Sequence, residues 1–550
     1  MESACRHVCI DEASDAAMTP SPYYGGPLAT LLCGDVLRTL AGLEAESVDC
    51  AVTSPPYWGL RRYSGDQGDE PYGLEPTPEL YIEHTIAWLR AVRRVLKPTG
   101  SLFLNLGDSY SGGQRNSDKP QTIAGDNARG LPIESRPSRM MATDSVIKPL
   151  DLCGIPEQVV LAARADGWYW RSTIIWQKPN PMPESVSGWS WQKCRVKVGK
   201  QKIIADGRYK TEVAQGGAKR AGVNPDWLAQ WSPCPGCVKC EANDGYVLRK
   251  GSGRPTSSFE YLYMLTKTSD YYFDTEAVRE PQQQASIERA QRVWEGDTQR
   301  DYPHGPQNHI NRYFNKTQEE AEALPGRNIR NVWTIATHPF SLELCTACKR
   351  IYEPKHYLRL AKADGRRVCS CGASDWLSHF ATYPPDLVRP CILASTSERG
   401  NCPSCGQPWA RVVERQDARH WIERRGKRQK WALGTNPGGR NDGGGSFDGF
   451  DGQTLGWRAT CRCGHEPVPA VVLDPFVGSG TTSVVAKELG RQSIGIDLAE
   501  DYLRLAQYRI EHTAAPLPLE LPPVTMGPKP ELAPVKTKLP NVLDGQATLL

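Results

Sequence analysis

The sequence predicts an α/β fold in which a largely parallel sheet carries inserted cysteine-rich modules. Short apolar runs alternate with helical patterns over residues 29–180, and the same alternation returns from residue 470. Strands that alternate with helices form parallel sheets covered on both faces. Between these two regions, cysteines occur in closely spaced pairs, a pattern typical of small metal-binding folds.

Composition excludes several classes of protein. The chain has 550 residues, of which 39% are hydrophobic and 23% charged, so most of it can form packed domains. It contains no run of about 18 apolar residues, and we therefore expect no membrane span. The first residues lack a basic region leading into an apolar stretch, so we expect no secretory signal and a cytoplasmic protein. In that reducing compartment, paired cysteines bind metals more often than they form disulfides.

Positive charge is concentrated in two segments. The formal net charge is only +4. Residues 178–260 nevertheless contain 14 lysines and arginines against 7 aspartates and glutamates, and residues 411–440 contain 9 against 3. Such segments either contact a polyanion or form solvated loops, and charge alone leaves both interpretations open.

The first half of the α/β pattern, residues 26–180, follows residues 1–25, which are predicted to be a disordered extension. Its first elements are a strand "ATLLCGD", a helix "VLRTLAGL", a buried strand "VDCAVTS", a helix "YIEHTIAWLRAVRRVL" and a buried strand "GSLFLNLGDSY". A polar stretch over residues 111–145 is predicted to be a loop, and a helix "IPEQVVLAARADG" and a strand "WYWRSTIIWQKP" follow it. One strand ends unusually, because "TSPPYW" places two prolines and two aromatic residues at its carboxyl end.

The rest of the chain divides by composition. Its segments are an irregular region (181–330), a region of renewed strand patterns (331–399) with a cysteine-bearing insert (341–375), a second cysteine-bearing insert (400–466), a second α/β half (467–513) and a proline-containing tail (514–550). The tail has no apolar periodicity and is predicted to be disordered.

A glycine-rich turn in the second α/β half predicts a cofactor site. In "VVLDPFVGSGTTSVVAKELGRQSIGIDL" a buried strand ends at Asp474, and Gly478 and Gly480 open a helix. A second strand ends at Asp497, which can bind ribose hydroxyls while the glycines let the backbone approach the ligand. The turn lacks the Gly-Lys-Ser/Thr of a phosphate-binding loop, and Asp474 would repel a pyrophosphate. The pattern therefore favours a nucleoside cofactor with a cationic centre rather than a phosphate.

Together, "DPFVGSGTT" and "TSPPYW" resemble the S-adenosylmethionine-dependent amino-methyltransferases of DNA. The Pro-Pro-Tyr motif precedes the glycine motif, as in the circularly permuted β class of that family. The resemblance implies a Rossmann-like methyltransferase sheet, S-adenosylmethionine as cofactor and double-stranded DNA as substrate. Carried over residue by residue, it implies a catalytic set (Ser54, Pro55, Pro56, Tyr57) and a cofactor-binding set (Gly34, Asp35, His379, Asp474, Pro475, Phe476, Gly478, Gly480, Thr481, Asp497).

The chemistry of an exocyclic amino group explains the Pro-Pro motif. The nitrogen lone pair is delocalised into the base, and hydrogen bonds accepted from its N–H groups would localise it. Ser54 offers a hydroxyl oxygen, Pro55 offers a carbonyl, and both prolines fix the turn without adding N–H donors. Tyr57 could stack on a base that has been extruded from the duplex.

The identity of the target base is predicted by one residue. In the resembling family, serine at the position of Ser54 usually accompanies cytosine N4, and aspartate usually accompanies adenine N6. We therefore expect cytosine N4 and keep adenine N6 as the alternative. Methylation at carbon 5 needs a cysteine nucleophile, and Cys391, which follows Pro390, lies in a predicted helix away from the Pro-Pro motif. Arg254, Glu260 and Lys267 match polar positions of the family and could shape the base pocket or form structural ion pairs.

Twelve cysteines form three sets with the spacing of zinc sites. They are the Cys345 set (Cys345, Cys348, Cys369, Cys371), the Cys402 set (Cys402, Cys405, Cys461, Cys463) and the Cys194 set (Cys194, Cys234, Cys237, Cys240). Four thiolates close the coordination sphere of zinc, so each site would be structural. The alternative is free thiols in loops.

Recognition of DNA is assigned to the irregular region, residues 181–330, which contains the first basic segment. The tail ends in "DGQATLL", and Gln546–Leu550 resemble peptides that bind bacterial sliding clamps. Two other functions remain open: an RNA methyltransferase, and a zinc-dependent nucleic-acid-binding protein whose methyltransferase fold is inactive.

Overall fold

The computed structural model describes most of the predicted domain. The described residues are 21–59, 72–111, 147–148, 150–181, 188–202, 227–251, 253–291, 317–318, 326–353, 361–363, 366–378, 382–415 and 452–516. His379 and the clamp-like segment Gln546–Leu550 lie outside them, as do residues 1–20 of the predicted extension and most of the predicted loop over 111–145.

The secondary structure follows the predicted alternation at both ends of the chain. The strands are β1 (Tyr24–Gly25), β2 (Ala29–Cys33), β3 (Val48–Thr53), β4 (Leu96–Leu106), β5 (Tyr169–Gln177), β6 (Trp189–Lys193), β7 (Arg195–Lys202), β8 (Trp227–Pro233), β9 (Tyr246–Lys250), β10 (Phe259–Thr266), β11 (Val332–Thr334), β12 (Glu343–Cys345), β13 (Ile351–Tyr352), β14 (Ala361–Ala363), β15 (Arg366–Val368), β16 (Trp376–Leu377), β17 (Trp409–Arg415), β18 (Gly452–Ala459), β19 (Val471–Asp474) and β20 (Gln492–Asp497). The α-helices are α1 (Val36–Ala41), α2 (Pro78–Val95), α3 (Ile155–Ala165), α4 (Gln284–Gln291), α5 (Pro385–Ser395), α6 (Thr481–Glu488) and α7 (Glu500–Glu511).

A nine-stranded mixed sheet forms the centre of the protein. Its order is β1-β2-β20-β19-β3-β4-β10-β5-β11, so β20 and β19 from the second α/β half lie between β2 and β3 from the first half. Strands β2, β20, β19, β3 and β4 are parallel, whereas β10 is antiparallel to both β4 and β5. The carboxyl ends of the five parallel strands therefore meet at one edge, which we call the carboxyl edge.

Helices cover both faces of this sheet. Alternate side chains of a strand point to opposite faces, so Leu102 and Leu104 of β4 pack in one buried cluster and Phe103 in another. Helices α1, α2 and α3 contribute to the first cluster, and α5 and α6 contribute to the second. Helix α7 packs in a third cluster with β2.

Local sequence explains where the longest helix begins. The side chain of Thr77 accepts a hydrogen bond from the backbone of Leu80, and Pro78 occupies the first turn, where no intrahelical N–H bond is lost. Trp88 and Leu89 of α2 are buried against the sheet. Among the described residues, no helix is both long and apolar enough to cross a membrane.

The cysteine sets lie in small modules outside the sheet. The Cys345 set belongs to the sheet formed by β12, β13 and β16, which packs against α7. The Cys402 set adjoins the hairpin β17–β18, and the Cys194 set lies where the ribbons β6–β9 and β7–β8 meet. Strand β10 falls within residues 181–330, so the region assigned to DNA recognition also supplies one strand of the central sheet.

Candidate active site

The Pro-Pro motif and the glycine turn meet at the carboxyl edge. They follow β3 and β19, which are parallel neighbours in the sheet. Thr53, the last residue of β3, donates a hydrogen bond of 2.7 Å from its hydroxyl to Oδ1 of Asp474, the last residue of β19. Two segments that are 421 residues apart are thus joined directly beside Ser54.

Asp474 is buried and accepts several hydrogen bonds. The hydroxyl groups of Tyr383 and Thr482 each lie 2.7 Å from its Oδ2, and the backbone N–H of Phe476 lies 3.1 Å from Oδ1. Only 1% of Asp474 is exposed, and burial raises the pKa of its carboxyl group while these hydrogen bonds oppose the rise. Asp474 therefore links the strand that ends in the Pro-Pro motif to the strand that leads into the glycine turn.

The glycine turn needs glycine for its conformation and for its packing. Gly478 and Gly480 have φ of 49° and 83°, which side chains disfavour. A Cβ atom on Gly480 would lie 2.8 Å from the Cβ of Ala506 in α7. The backbone N–H of Gly478 donates a hydrogen bond of 2.9 Å to Oδ2 of Asp497, so the turn is tied to the neighbouring strand end.

The end of β2 completes a row of three strand ends. The backbone N–H of Gly34 donates to the carbonyl oxygen of Asp497 over 3.0 Å. Asp35 caps α1, because its Oδ1 accepts a hydrogen bond of 3.0 Å from the N–H of Arg38. The residues predicted to contact a nucleoside therefore lie side by side along β2, β20 and β19, with His379 outside the described residues.

An arginine that the sequence did not single out supports the glycine turn. Arg509 of α7 donates to the carbonyl oxygen of Ser479 over 2.6 Å and to the hydroxyl of Thr481 over 3.1 Å. Burial lowers the pKa of Arg509 to about 10. Phe476 packs away from this contact, with its ring stacked on Tyr72 at 5.6 Å between centroids. The turn is therefore held by hydrogen bonds from Arg509 and by the packing of Phe476 on Tyr72.

A chain of hydrogen bonds begins at Ser54. Its hydroxyl donates to the hydroxyl oxygen of Tyr57 over 3.1 Å. The Tyr57 hydroxyl lies 2.9 Å from Oε2 of Glu260 and 3.2 Å from Oδ1 of Asn105. Since Tyr57 has a single proton, it donates to one acceptor at a time. Glu260 in turn forms an ion pair with Lys178.

The two prolines differ in what their carbonyl groups do. The carbonyl of Pro56 accepts a hydrogen bond of 3.0 Å from the Tyr81 hydroxyl. The Pro55 carbonyl accepts none from the described part of the chain. With its proton directed to Tyr57, Ser54 also keeps lone pairs for another donor. Ser54 and Pro55 can therefore offer two acceptors to an amino group.

The ring of Tyr57 packs directly against the backbone of Gly107. A Cβ atom on Gly107 would lie 2.7 Å from Cε2 of Tyr57 and 3.4 Å from Cγ of Glu260. Gly107 directly follows β4, so the absence of a side chain there leaves room for both groups at the carboxyl edge.

Comparison with known proteins identifies the family. A family model for N6/N4 enzymes, described as DNA methylase, matches residues 48–402 and 466–508, which is more than half of the chain. The chain belongs to the N6/N4 DNA methylase family. Type II methyltransferase M.Cfr9I of Citrobacter freundii is 27% identical over 487 residues, which are 88% of each chain.

Two further similarities extend over most of this methylase. Type II methyltransferase M.SmaI of Serratia marcescens is 27% identical over 481 residues, covering 87% of this chain and 90% of the relative. Among solved structures, the PvuII DNA methyltransferase (cytosine-N4-specific) aligns over 89% of each chain, with 13% identity and a TM-score of 0.38.

The three polar residues that match family positions, Arg254, Glu260 and Lys267, lie in different places in the methylase structure. Glu260 lies at the carboxyl edge and contacts Tyr57. Lys267 lies at the opposite end of β10, where its ammonium group binds Glu46 over 2.8 Å and the carbonyl of Leu96 over 3.0 Å. Arg254 lies over the ring of Tyr110, with 3.6 Å between its Cζ and the ring centroid. Of the three, Glu260 is therefore the residue in contact with the Pro-Pro motif.

Cys391 lies in a helix, α5, as predicted, and the structure shows that it is buried there. Its thiol donates to the carbonyl of Leu387 over 3.2 Å, and burial raises its pKa well above the ordinary value. A buried, protonated thiol is a poor nucleophile.

All three predicted cysteine sets are assembled. Within each set, the four sulfur atoms lie within 4.8 Å of one another. Individual separations are 3.8 Å for Cys194 and Cys237 and 3.6 Å for Cys345 and Cys371. Four sulfurs at about 2.3 Å from a tetrahedral zinc ion lie about 3.8 Å apart, so the donor atoms fit that metal.

Proposed function

We propose that this methylase transfers the methyl group of S-adenosylmethionine to the exocyclic N4 of cytosine in double-stranded DNA. Membership of the DNA methylase family supports a methyl-transfer reaction on DNA. The observation that carries the proposal is the hydrogen bond between Thr53, which precedes Ser54, and Asp474, which ends the strand that leads into the glycine turn. In the sheet, β20 and β19 from the second α/β half lie between β2 and β3 from the first half, which supports the permuted class.

The cofactor would lie along the row of strand ends. Gly478 and Gly480 let the backbone approach it, Asp497 and Asp35 offer carboxylates for a ribose or an adenine, and Arg509 holds the turn. When bound, S-adenosylmethionine supplies an electrophilic methyl group on a positively charged sulfur. The turn carries no lysine for a phosphate, in agreement with a phosphate-free nucleoside.

The Pro-Pro motif would prepare the nucleophile. The amino group of an extruded base can donate one hydrogen bond to Ser54 and one to the carbonyl of Pro55. These bonds localise the nitrogen lone pair, and the fixed turn directs it toward the cofactor, so positioning provides most of the acceleration. The Tyr57 ring stands beside this position and is proposed to stack on the base.

Serine at position 54 favours cytosine over adenine as the target base. A methyl-transfer assay with the purified protein tests this assignment. Labelled S-adenosylmethionine and unmethylated duplex DNA should yield labelled N4-methylcytosine after digestion to nucleosides. Ser54→Ala should bind the cofactor with unchanged affinity and lose transfer. Labelled N6-methyladenine would replace the proposed base by the alternative, and preferential labelling of competing RNA would overturn the DNA substrate. Failure of the wild-type chain to bind S-adenosylmethionine would favour a nucleic-acid-binding protein with an inactive fold.

We further propose that the three cysteine sets bind structural zinc. Four thiolates leave no coordination position for water, so the ions would hold the modules rather than take part in transfer. Elemental analysis should find about three zinc ions per chain, since each complete four-thiolate set binds one ion. Cys348→Ser should remove one of them, and a metal-free purified protein with full stability would contradict the proposal.

The modules also suggest how DNA is bound. Trp189 and Trp191 of β6 are exposed beside the Cys194 set, and Lys250 lies 4.5 Å from the ring centroid of Trp189. Exposed aromatic and basic groups on a rigid ribbon suit contact with nucleic acid. We propose that this ribbon, β6–β9, is part of the target-recognition region.

A further inference from the structure

The hydrogen-bond chain from Ser54 runs in one direction, toward a carboxylate. Ser54 donates to Tyr57 over 3.1 Å, and Tyr57 reaches Oε2 of Glu260 over 2.9 Å. Lys178 binds the other oxygen of that carboxylate, Oε1. This contact leaves Oε2 directed toward Tyr57.

Methyl transfer to an amino group leaves a proton to remove. When the nitrogen lone pair forms the new N–C bond, the nitrogen carries a positive charge and keeps both of its hydrogens. One N–H bond must then break, with its electron pair returning to nitrogen. A group near Ser54 that accepts this proton would complete the reaction inside the site.

We propose that Glu260 is the terminal acceptor of this proton, which reaches it through Ser54 and Tyr57. The proton of the methylated amine passes to the Ser54 oxygen as the Ser54 proton passes to Tyr57 and the Tyr57 proton passes to Oε2 of Glu260. Serine and tyrosine are regenerated, the amine becomes neutral, and Glu260 is protonated. The proposal rests on the proposed function, because it requires an amino group bound at Ser54.

The surroundings of Glu260 suit this task. The side chains of Glu260 and Lys178 each keep 18% of their exposure, so the carboxyl group can pass its proton to water before the next turnover. The other partner of Tyr57 is the amide oxygen of Asn105, which is far less basic than a carboxylate. The Tyr57 ring is held by its packing on Gly107, which keeps the hydroxyl between donor and acceptor.

Glu260→Gln tests the relay because it keeps the shape of the side chain and removes its basicity. We expect kcat to fall by about 100-fold, as for loss of a general base, with the affinity for S-adenosylmethionine and the KM for DNA unchanged. Tyr57→Phe keeps the ring and breaks the chain, so it should show the same loss of kcat. Glu46→Gln is the matched control, because it breaks a glutamate–lysine pair at the other end of β10 and should leave kcat unchanged.

The outcomes separate the relay from the proposed function. If Ser54→Ala abolishes transfer while Glu260→Gln and Tyr57→Phe retain the wild-type kcat, the relay is overturned and the proposed function stands. If Glu260→Gln loses cofactor affinity but Tyr57→Phe keeps full kcat, Glu260 supports the fold and the relay is also overturned. If the wild-type chain transfers no methyl group to an amino group, both proposals fail.

Discussion

Replacing Gly107 by alanine should displace the ring of Tyr57 and slow methyl transfer. The added Cβ atom would lie 2.7 Å from Cε2 of Tyr57 and 3.2 Å from Cδ2. Carbon atoms in contact normally lie about 3.5–4.0 Å apart, so the ring must retreat by about 1 Å. The Tyr57 hydroxyl would move with it, away from at least one of the groups it binds at 3.1 Å and 2.9 Å, Ser54 and Glu260.

Displacements of about 1 Å near reacting groups can cost about 100-fold in rate, and we expect a loss of that order in kcat for Gly107→Ala. The assay is single-turnover transfer of a labelled methyl group to duplex DNA. Overpacking should also lower the free energy of unfolding by about 1–3 kcal/mol. Gly25→Ala is the matched control, because a Cβ atom there meets nothing within 4 Å. Transfer by Gly107→Ala at the wild-type rate would refute the positioning of Tyr57 inferred from the contact.

Three further predictions concern the support of the site. Asp474→Ala should lower the free energy of unfolding by about 3 kcal/mol or more, because several buried donors lose their acceptor; chemical denaturation measures this, and an unchanged midpoint would contradict it. Burial raises the folded-state pKa of Asp474, so its ionisation should cost stability as pH rises through that pKa, and Asp474→Asn should lack this part of the pH dependence of Tm. Arg509→Met should weaken binding of S-adenosylmethionine at least about tenfold by calorimetry, since it removes charge-assisted bonds to the glycine turn; equal affinity would show that the turn needs no such brace.

The sequence predicted the meeting of the two motifs because parallel strands end at a common edge. Ser54 follows one buried strand and Gly478 follows another, and both patterns are local. The three cysteine sets were also predictable, because the short spacing within each cysteine pair can be seen in the sequence. The structure confirms that each set is assembled.

Residues whose roles depend on contacts with distant segments could not be predicted from local sequence patterns. Tyr383 binds Asp474 across 91 residues of sequence, and the residues around Tyr383 do not indicate this contact. Arg509 lies on α7, and its hydrogen bond to Ser479, 30 residues earlier in the chain, depends on how α7 packs. Gly107 looks like an ordinary strand end until the ring of Tyr57 is seen beside it.

The role of Glu260 could be predicted only in part from the sequence. Glu260 was matched to the family from sequence, but two roles remained open for it. In the structure Glu260 forms an ion pair with Lys178 and also contacts Tyr57. The contact with Tyr57 depends on the register of β10 against β4, which places Tyr261 opposite Leu106 at the carboxyl edge. A strand's hydrophobic pattern determines which of its faces is buried, but its register also depends on the partner strand against which it packs.

The most direct test of the central claim is the identity of the modified base in DNA from a host that expresses this chain. Nucleoside mass spectrometry should find N4-methylcytosine, and mapping should place it within one recognised sequence. DNA from a host expressing Ser54→Ala should lack the modification. Methylation at a ring carbon, or N4-methylcytosine that persists in the Ser54→Ala host, would contradict transfer to an amino group held by the Pro-Pro motif.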